Sequence, residues 1–300
     1  MGNIVWLSGS RGFIGPYLKQ ALIHSGYTVT CLSNSFSKGD DIIYTDFSNR
    51  EKIRKAIKLY GAPDSFIHLG WGDVYKPHNE THTSVNLQDG INLIDELYEC
   101  GLKRFLLIGS SSEYGSLKGE LYENLKSLDS GNNYIRGKAT LAKYGLDIAK
   151  KLNRIFIHVR LFYTYGAGQK HNSLINQLFQ CYLKNDAIKL SPCENYRDYI
   201  YVSEAAEGIS KITAVNQSEI INLGSGKVIQ LKKFIRLFWD ELGANADKLL
   251  FGAHEIPVSE QSQPRSFANL NKLKNLTHWS PSMSIEDGIK KTVECLRLSI

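Results

Sequence analysis

An apolar run, Asn3-Ile-Val-Trp-Leu7, breaks within two residues into glycines spaced by threes, Gly9, Gly12 and Gly15, and then into a helical stretch. Glycine permits the tight turn and lets the backbone approach a ligand closely, and the amides at the start of the following helix attract negative charge. A strand that enters such a turn and leaves as a helix is the phosphate-binding segment of a dinucleotide site. A glycine-rich strand-to-helix turn without a ligand produces the same pattern, so the assignment needs support from elsewhere in the chain.

The first half repeats the unit. Apolar runs predict strands at Asn3 to Leu7, Thr28 to Leu32, Ile42 to Tyr44, Ser65 to Leu69, Phe105 to Ile108 and Phe156 to Arg160. Amphipathic stretches predict helices at Phe13 to His24, Arg50 to Tyr60, Val85 to Cys100 and Tyr134 to Leu152. The alternation predicts an α/β fold, a Rossmann-type doubly wound parallel sheet with ligands at the carboxyl ends of its strands. After Gly166 the texture changes. Helices are expected at Asn172 to Leu183, near Leu231 to Glu241 and near Ile285 to Leu296, and a short strand at Asp198 to Val202 is placed to rejoin the main sheet. The expected division is a cofactor-binding domain over 1–165, with a returning segment near 198–222, and a smaller mixed C-terminal substrate-binding lobe over 166–300. Substrate would lie between them.

Composition excludes several classes. A hydrophobic content of 42% rules against disorder, and a net charge of +6 scattered along the chain argues for small anionic ligands over nucleic acid. Five distant cysteines, Cys31, Cys100, Cys181, Cys193 and Cys295, fit neither a disulfide framework nor a zinc site. With no basic leader and no long apolar run, a cytoplasmic protein away from the membrane is expected. His78 and His82 have helical spacing, but Glu80 stands one place too late for the zinc-protease motif, so no metal is assigned.

The chemistry concentrates in Tyr134-Ile-Arg-Gly-Lys138, downstream of Ser110-Ser-Ser-Glu-Tyr-Gly115. A tyrosine and a lysine four residues apart share a helix face, and the ammonium can stabilise the phenolate that a proton-transfer catalyst needs. At the second strand's end, where an NAD site usually places an acid for the ribose hydroxyls, the chain reads Cys31-Leu-Ser33-Asn34-Ser35, with no acid before Asp40. That absence, with Arg11 in the turn and Lys38 nearby, favours NADP(H), NAD(H) being the alternative. Arg11 as a solvated loop charge stays open. Asp46 and Phe47 follow the third strand as adenine contacts, unless Asp46 caps the next helix.

In this order the glycine turn, the serine-rich strand end and Tyr-x-x-x-Lys resemble the extended short-chain dehydrogenase/reductase family, in its nucleoside-diphosphate-sugar epimerase, dehydratase and reductase branch. His68-Leu-Gly-Trp71 is similar to the family's His-Leu-Ala-Ala strand end, Val85-Asn86 to its Asn-Val helix start, and Arg160-Leu-Phe-Tyr163-Thr-Tyr-Gly166 to Arg-x-x-Asn-Val-Tyr-Gly. Arg197-Asp-Tyr-Ile-Tyr-Val202 resembles Arg-Asp-Phe-Ile-x-Val, and Asn222-Leu-Gly-Ser-Gly226 the Asn-x-Gly-x-Gly loop. The resemblance implies Tyr134 as general acid or base, Lys138 as its partner on the nicotinamide ribose, and Ser110 as the hydroxyl on the reacting oxygen, with Ser111 the alternative. It implies cofactor contacts from Gly9, Arg11, Gly12, Phe13, Ile14, Gly15, Leu69, Gly70, Trp71 and Asn86, Asn86 being equally readable as a helix cap.

On the substrate side the resemblance implies a nucleoside-diphosphate sugar held by Ser111, Tyr163, Arg197 and Arg265, with Glu113 either in the site or a loop charge. Tyr163 stands where the family usually has Asn, and near Ser259, where a diphosphate-binding Arg is usual, there is none. Ser111 and Ser112 occupy the positions at which dehydratases carry their acid, so dehydration is disfavoured. The missing strand-two acid favours a reductase over an epimerase, and the implied reaction is NADPH-dependent reduction of the C4 keto group of a nucleoside-diphosphate 4-keto-6-deoxyhexose. An NAD-dependent 4-epimerase is the second reading and a non-catalytic nicotinamide sensor a third. A homodimer is what the family implies.

Overall fold

The computed structural model describes residues 3–35, 42–125, 132–255 and 265–299. The predicted calls that fall on Lys38, Asp40 and Ser259 lie outside the described residues. The chain runs β1 (Ile4–Ser8), α1 (Gly15–His24), β2 (Thr28–Ser33), β3 (Ile42–Tyr44), α2 (Arg50–Tyr60), β4 (Ser65–His68), α3 (Val85–Glu99), β5 (Arg104–Ile108), β6 (Gly119–Leu121), α4 (Asn133–Leu152) and β7 (Ile155–Leu161). It continues through β8 (Tyr163–Tyr165), α5 (Leu174–Lys184), β9 (Ile188–Leu190), β10 (Tyr196–Tyr201), α6 (Val202–Ile212), β11 (Glu219–Leu223), β12 (Val228–Gln230) and α7 (Leu231–Glu241). β13 (Leu249–Phe251), β14 (Ser266–Ala268), α8 (Asn271–Thr277) and α9 (Ile285–Arg297) complete it.

The main sheet has the order β11-β7-β5-β4-β1-β2-β3, with every pairing parallel. Val5, Trp6 and Leu7 are at most 1% exposed, which explains why β1 is a continuous apolar run: helices cover both faces. One face carries α1 and α6, through Leu18, Leu22, Ile209 and Ile212, and the other α2, α3 and α4, through Ile53, Leu93, Leu97 and Leu141. Fully burying each such side chain contributes on the order of 1.5 to 3 kcal/mol. From β3 the chain crosses back to place β4 on the far side of β1, so the crevice opens between the carboxyl ends of these two strands.

Two expectations need correction. α1 begins at Gly15, two residues after Phe13, because a hydrogen-bonded turn occupies the intervening chain: Gly12 N–H donates to Gly9 O and Gly15 N–H to Gly12 O. The strand over Tyr196–Tyr201 does not rejoin the main sheet. It pairs in parallel with β8 and antiparallel with β12 in a separate three-stranded sheet, because Tyr199 and Tyr201 pack their rings with Tyr165 and Phe234 in the C-terminal core. The segment that returns to the main sheet is β11, beside β7.

The C-terminal part is tied to the first by short strands. β14 pairs with β6 through Ser266↔Gly119 to Ala268↔Leu121. Beside this pair Asp198 of β10 is enclosed by donors: Ser225 N–H and Oγ–H at 2.6 Å, and the N–H groups of Gly226 and Ala268 at 3.0 Å. Among the described residues no helix is long and apolar enough to cross a membrane.

Candidate active site

A cleft of about 300 Å³ lies over the β1/β4 divergence. Gly9, Arg11, Gly12, Phe47, Gly70, Trp71 and Asn86 line it, together with Ser10, Ser33 to Ser35, His68, Val85 and Asp89. Gly9, at φ +78°, lies so close to the strand-four loop that a Cβ there would stand 2.5 Å from Gly70 N. That approach leaves the α1 N-terminus and its amides open to a pyrophosphate, and a dinucleotide fits the arrangement. Phe13, Ile14 and Leu69 do not line the cleft but pack against the cores beside it. Asn86 caps nothing: its side chain accepts from Gly72 N–H and donates to Gly72 O, holding the loop after β4.

Arg11 is an exposed loop charge that side-chain hydrogen bonds hold in place. Its guanidinium donates to Ser33 Oγ at 3.1 Å and to Ser35 Oγ, fixing a positive charge at the end of β2 where an NAD site carries an acid. Asp46 does not cap α2. Its carboxylate accepts from Ser48 N–H and Oγ–H and pairs with Lys52, it does not line the cleft, and Asn49 caps α2 instead. Asp89, which no pattern singled out, is a carboxylate on α3 at the cleft wall, 9% exposed. Burial, then the charge of Asp46, raises its pKa.

Beyond Trp71 the proton-transfer groups come together. Tyr134 opens α4, its N–H shared between Asn132 Oδ1 and Pro77 O. Lys138, one turn on and buried, donates to Ile108 O at 2.5 Å, with its Nζ 4.9 Å from the Trp71 ring centre and 5.3 Å from that of Tyr134. Trp71 is itself fixed: its indole N–H donates to His82 Nδ1 at 2.9 Å, and His82 Nε2 lies 3.0 Å from Lys76 O. The imidazole stacks on Trp71 at 10° and meets Tyr134 edge-on at 5.4 Å. The sequence pattern has Ala where Trp71 stands, so this aromatic wall is a departure from the family's motif.

The electrostatics differ from the spacing argument. Burial raises the Tyr134 phenol above its ordinary value, the Glu113 charge adds to the rise, and the Ser110 hydrogen bond opposes it. Lys138 donates to Ile108 O, and burial lowers its own pKa to about 8 against the pull of Glu113. His68 is held neutral, pushed down to about 3 by burial and by Lys138, with Nδ1 2.8 Å from Ser8 Oγ. The site therefore holds a protonated phenol beside a serine hydroxyl.

Ser110 terminates β5 and caps the turn Ser111–Tyr114, its Oγ accepting from Ser112 N–H. Glu113 is neither a substrate contact nor a loop charge. It is 1% exposed, accepts from Ser110 N–H at 2.9 Å, and faces His158 Nε2 at 3.1 Å and Arg160 Nε at 3.4 Å. Burial works to raise its pKa, but His158, Arg160 and the Ser110 amide outweigh it and hold the carboxyl below its usual range. It fixes the turn that presents Ser110, with Ser111 half-buried beside it. Among the other predicted substrate groups, Arg197 stacks on Tyr163 at 4.2 Å and is 8% exposed, whereas exposed Arg265 stacks on Tyr196 at 4.8 Å. The two guanidiniums are thus held by different tyrosines.

A model of the NAD dependent epimerase/dehydratase family matches residues 5–224. The chain is 25% identical to a UDP-glucuronate 4-epimerase of Thermodesulfobacterium geofontis, over 96% of this chain and 94% of that protein. It is 24% identical to the CDP-abequose synthase of Salmonella typhimurium, over 97% and 98%, and 25% identical to a dTDP-4-dehydro-6-deoxyglucose reductase of Escherichia coli, over 98% of each. Among solved structures it superposes on the UDP-glucose 4-epimerase of Thermotoga maritima, bound to UDP-glucose, with a TM-score of 0.87 at 18% identity over 99% of each chain. It superposes on RMD of Pseudomonas aeruginosa, complexed with NADPH, with a TM-score of 0.78 at 20% identity over 97% of this chain and 98% of that one.

Proposed function

Because this chain belongs to the NAD dependent epimerase/dehydratase family, we propose that it reduces the C4 keto group of a nucleoside-diphosphate 4-keto-6-deoxyhexose with NADPH. The observation that carries the cofactor choice is Arg11, bonded to Ser33 and Ser35 at the end of β2, a strand end that carries no carboxylate among its described residues, although Asp89 of α3 lines the same cleft. A guanidinium there pairs with a 2'-phosphate and gains nothing from a bare ribose hydroxyl. When bound, the nicotinamide supplies a hydride to the sugar carbon.

The chain's own residues do the rest. Ser110 hydrogen-bonds the carbonyl oxygen, and Tyr134, kept protonated by its burial, gives that oxygen its proton as negative charge develops. Lys138 binds the nicotinamide ribose and Arg197 the diphosphate. Trp71 and His82 exclude water from the proton transfer. Dehydration lacks a candidate acid, because Glu113 is enclosed behind Ser110. The epimerase reading is favoured by the epimerases among the relatives, and it would need Tyr134 to start as a base.

The test is nicotinamide absorbance against time with NADPH or NADH and a panel of GDP-, dTDP-, CDP- and UDP-linked 4-keto-6-deoxysugars. Stoichiometric NADPH loss with one of them is expected. No loss with any, together with NAD retained on the purified protein, would overturn the reductase and favour the epimerase.

A further inference from the structure

We propose that Asp89 is the residue by which this protein reads the base of its dinucleotide, accepting a hydrogen bond from the 6-amino group of adenine. The inference rests on the assignment of the cleft to a nicotinamide dinucleotide and goes beyond it by naming a specificity-determining side chain.

Three observations carry it. The phosphates belong at the Gly9 to Gly15 turn and the adenosine ribose at Arg11, Ser33 and Ser35, so the base continues toward the remaining wall of the cleft, which Phe47 and Asp89 form. The two are bound to each other's surroundings: Asn92, three residues after Asp89 on α3, donates to Phe47 O at 3.0 Å. Phe47 supplies an apolar surface against the base, and Asp89 supplies a polar group beside it.

Asp89 has nothing else to do. It is 9% exposed, and among the described residues no hydrogen bond or ion pair engages its carboxylate. Its oxygens are not among the buried atoms left without a partner, so they open onto the cleft, where a ligand N–H can reach them. The acid that follows the third strand, Asp46, already accepts from Ser48 and Lys52 and stands outside the lining, so Asp89 is the carboxylate at the cleft wall. Adenine presents an N–H donor at position 6, whereas hypoxanthine presents a carbonyl oxygen there, which a carboxylate oxygen repels.

Affinities of the full-length protein for NADPH and for its hypoxanthine analogue, measured by calorimetry, test the assignment. Wild type should prefer adenine by about tenfold, the worth of one hydrogen bond to a charged group. Asp89→Asn should bring the two within about twofold, chiefly because its amide N–H donates to the hypoxanthine oxygen. Asp89→Ala should reach the same ratio by weakening adenine, and melting curves of both variants confirm that they fold. Retention of the tenfold preference in both variants overturns the proposal. A change in the NADPH to NADH ratio with base preference intact also overturns it, by moving Asp89 to the ribose. If wild type binds neither dinucleotide, the cofactor reading beneath the proposal fails instead.

Discussion

At one end of the crevice Arg11, Ser33, Ser35 and Asp89 present polar groups to an open cleft, whereas at the other the Trp71 and His82 rings close on Tyr134, and Lys138 lies over the rings of Trp71 and Tyr134. The first end holds a fixed positive charge and a carboxylate with no donor, so its best partners arrive with the ligand. The second is preorganised: His82, Asn132, Pro77 and Ile108 hold each group before anything binds. Burial displaces the pKa values of Tyr134 and Lys138 in opposite senses, each toward its neutral form. On the proposed reading, the first end contributes charge-matched affinity and the second the proton transfer, with Lys138 serving the ribose as well.

The strongest way to break this separation is Tyr134→Phe. Turnover in the absorbance assay should fall by roughly 10²- to 10⁴-fold, the range for loss of a general acid, with NADPH affinity changed less than about twofold. A comparable loss of cofactor binding would show that the two ends are not independent.

The next test is thermodynamic. Because the pKa of Lys138 in the folded chain is depressed to about 8, the folded state sheds that proton before the unfolded state does. The unfolded chain therefore binds more protons between about pH 8 and the ordinary lysine range, and stability contributed by this group rises with pH across that window. Urea titrations at pH 7.5 and 10.5 should show wild type gaining roughly 3 kcal/mol relative to Lys138→Met over the interval. Parallel pH dependences in the two proteins would mean that Lys138 is not desolvated.

The smallest effect belongs to the open end. Arg11→Ala should weaken NADPH about tenfold and NADH less than twofold, read by fluorescence titration. Equal weakening of both would remove the argument for a 2'-phosphate and with it the contrast between a charge-matched end and a preorganised one.

The main sheet was legible because its strands are buried on both faces and read as unbroken apolar runs, and the helices between them alternate with a clear period. The three-residue strands outside the main sheet were not. β6 and β14 lie far apart in the chain and owe their pairing to tertiary contacts, with no alternation of their own. At the site, residue types were legible but not their directions. Glu113 follows the serines as a catalytic acid might, and only the fold turns it inward onto His158 and Arg160. Asp89 left a signal that was available: Asp89, Leu93 and Glu96 have the four- and three-residue spacing of a buried helix stripe, and a carboxylate on such a stripe needs a partner.

Asp198 bears on how the substrate side can be altered. One carboxylate, next to Arg197, accepts from amides of the loop after β11 and of β14. The segments 196–201, 223–228 and 265–270 are therefore joined through one acceptor, and replacing any of them with a sequence that lacks the acid or the matching amides would break the joint. Chimeras that keep the three segments together are expected to keep this joint, and chimeras that divide them to lose stability, as melting curves would show.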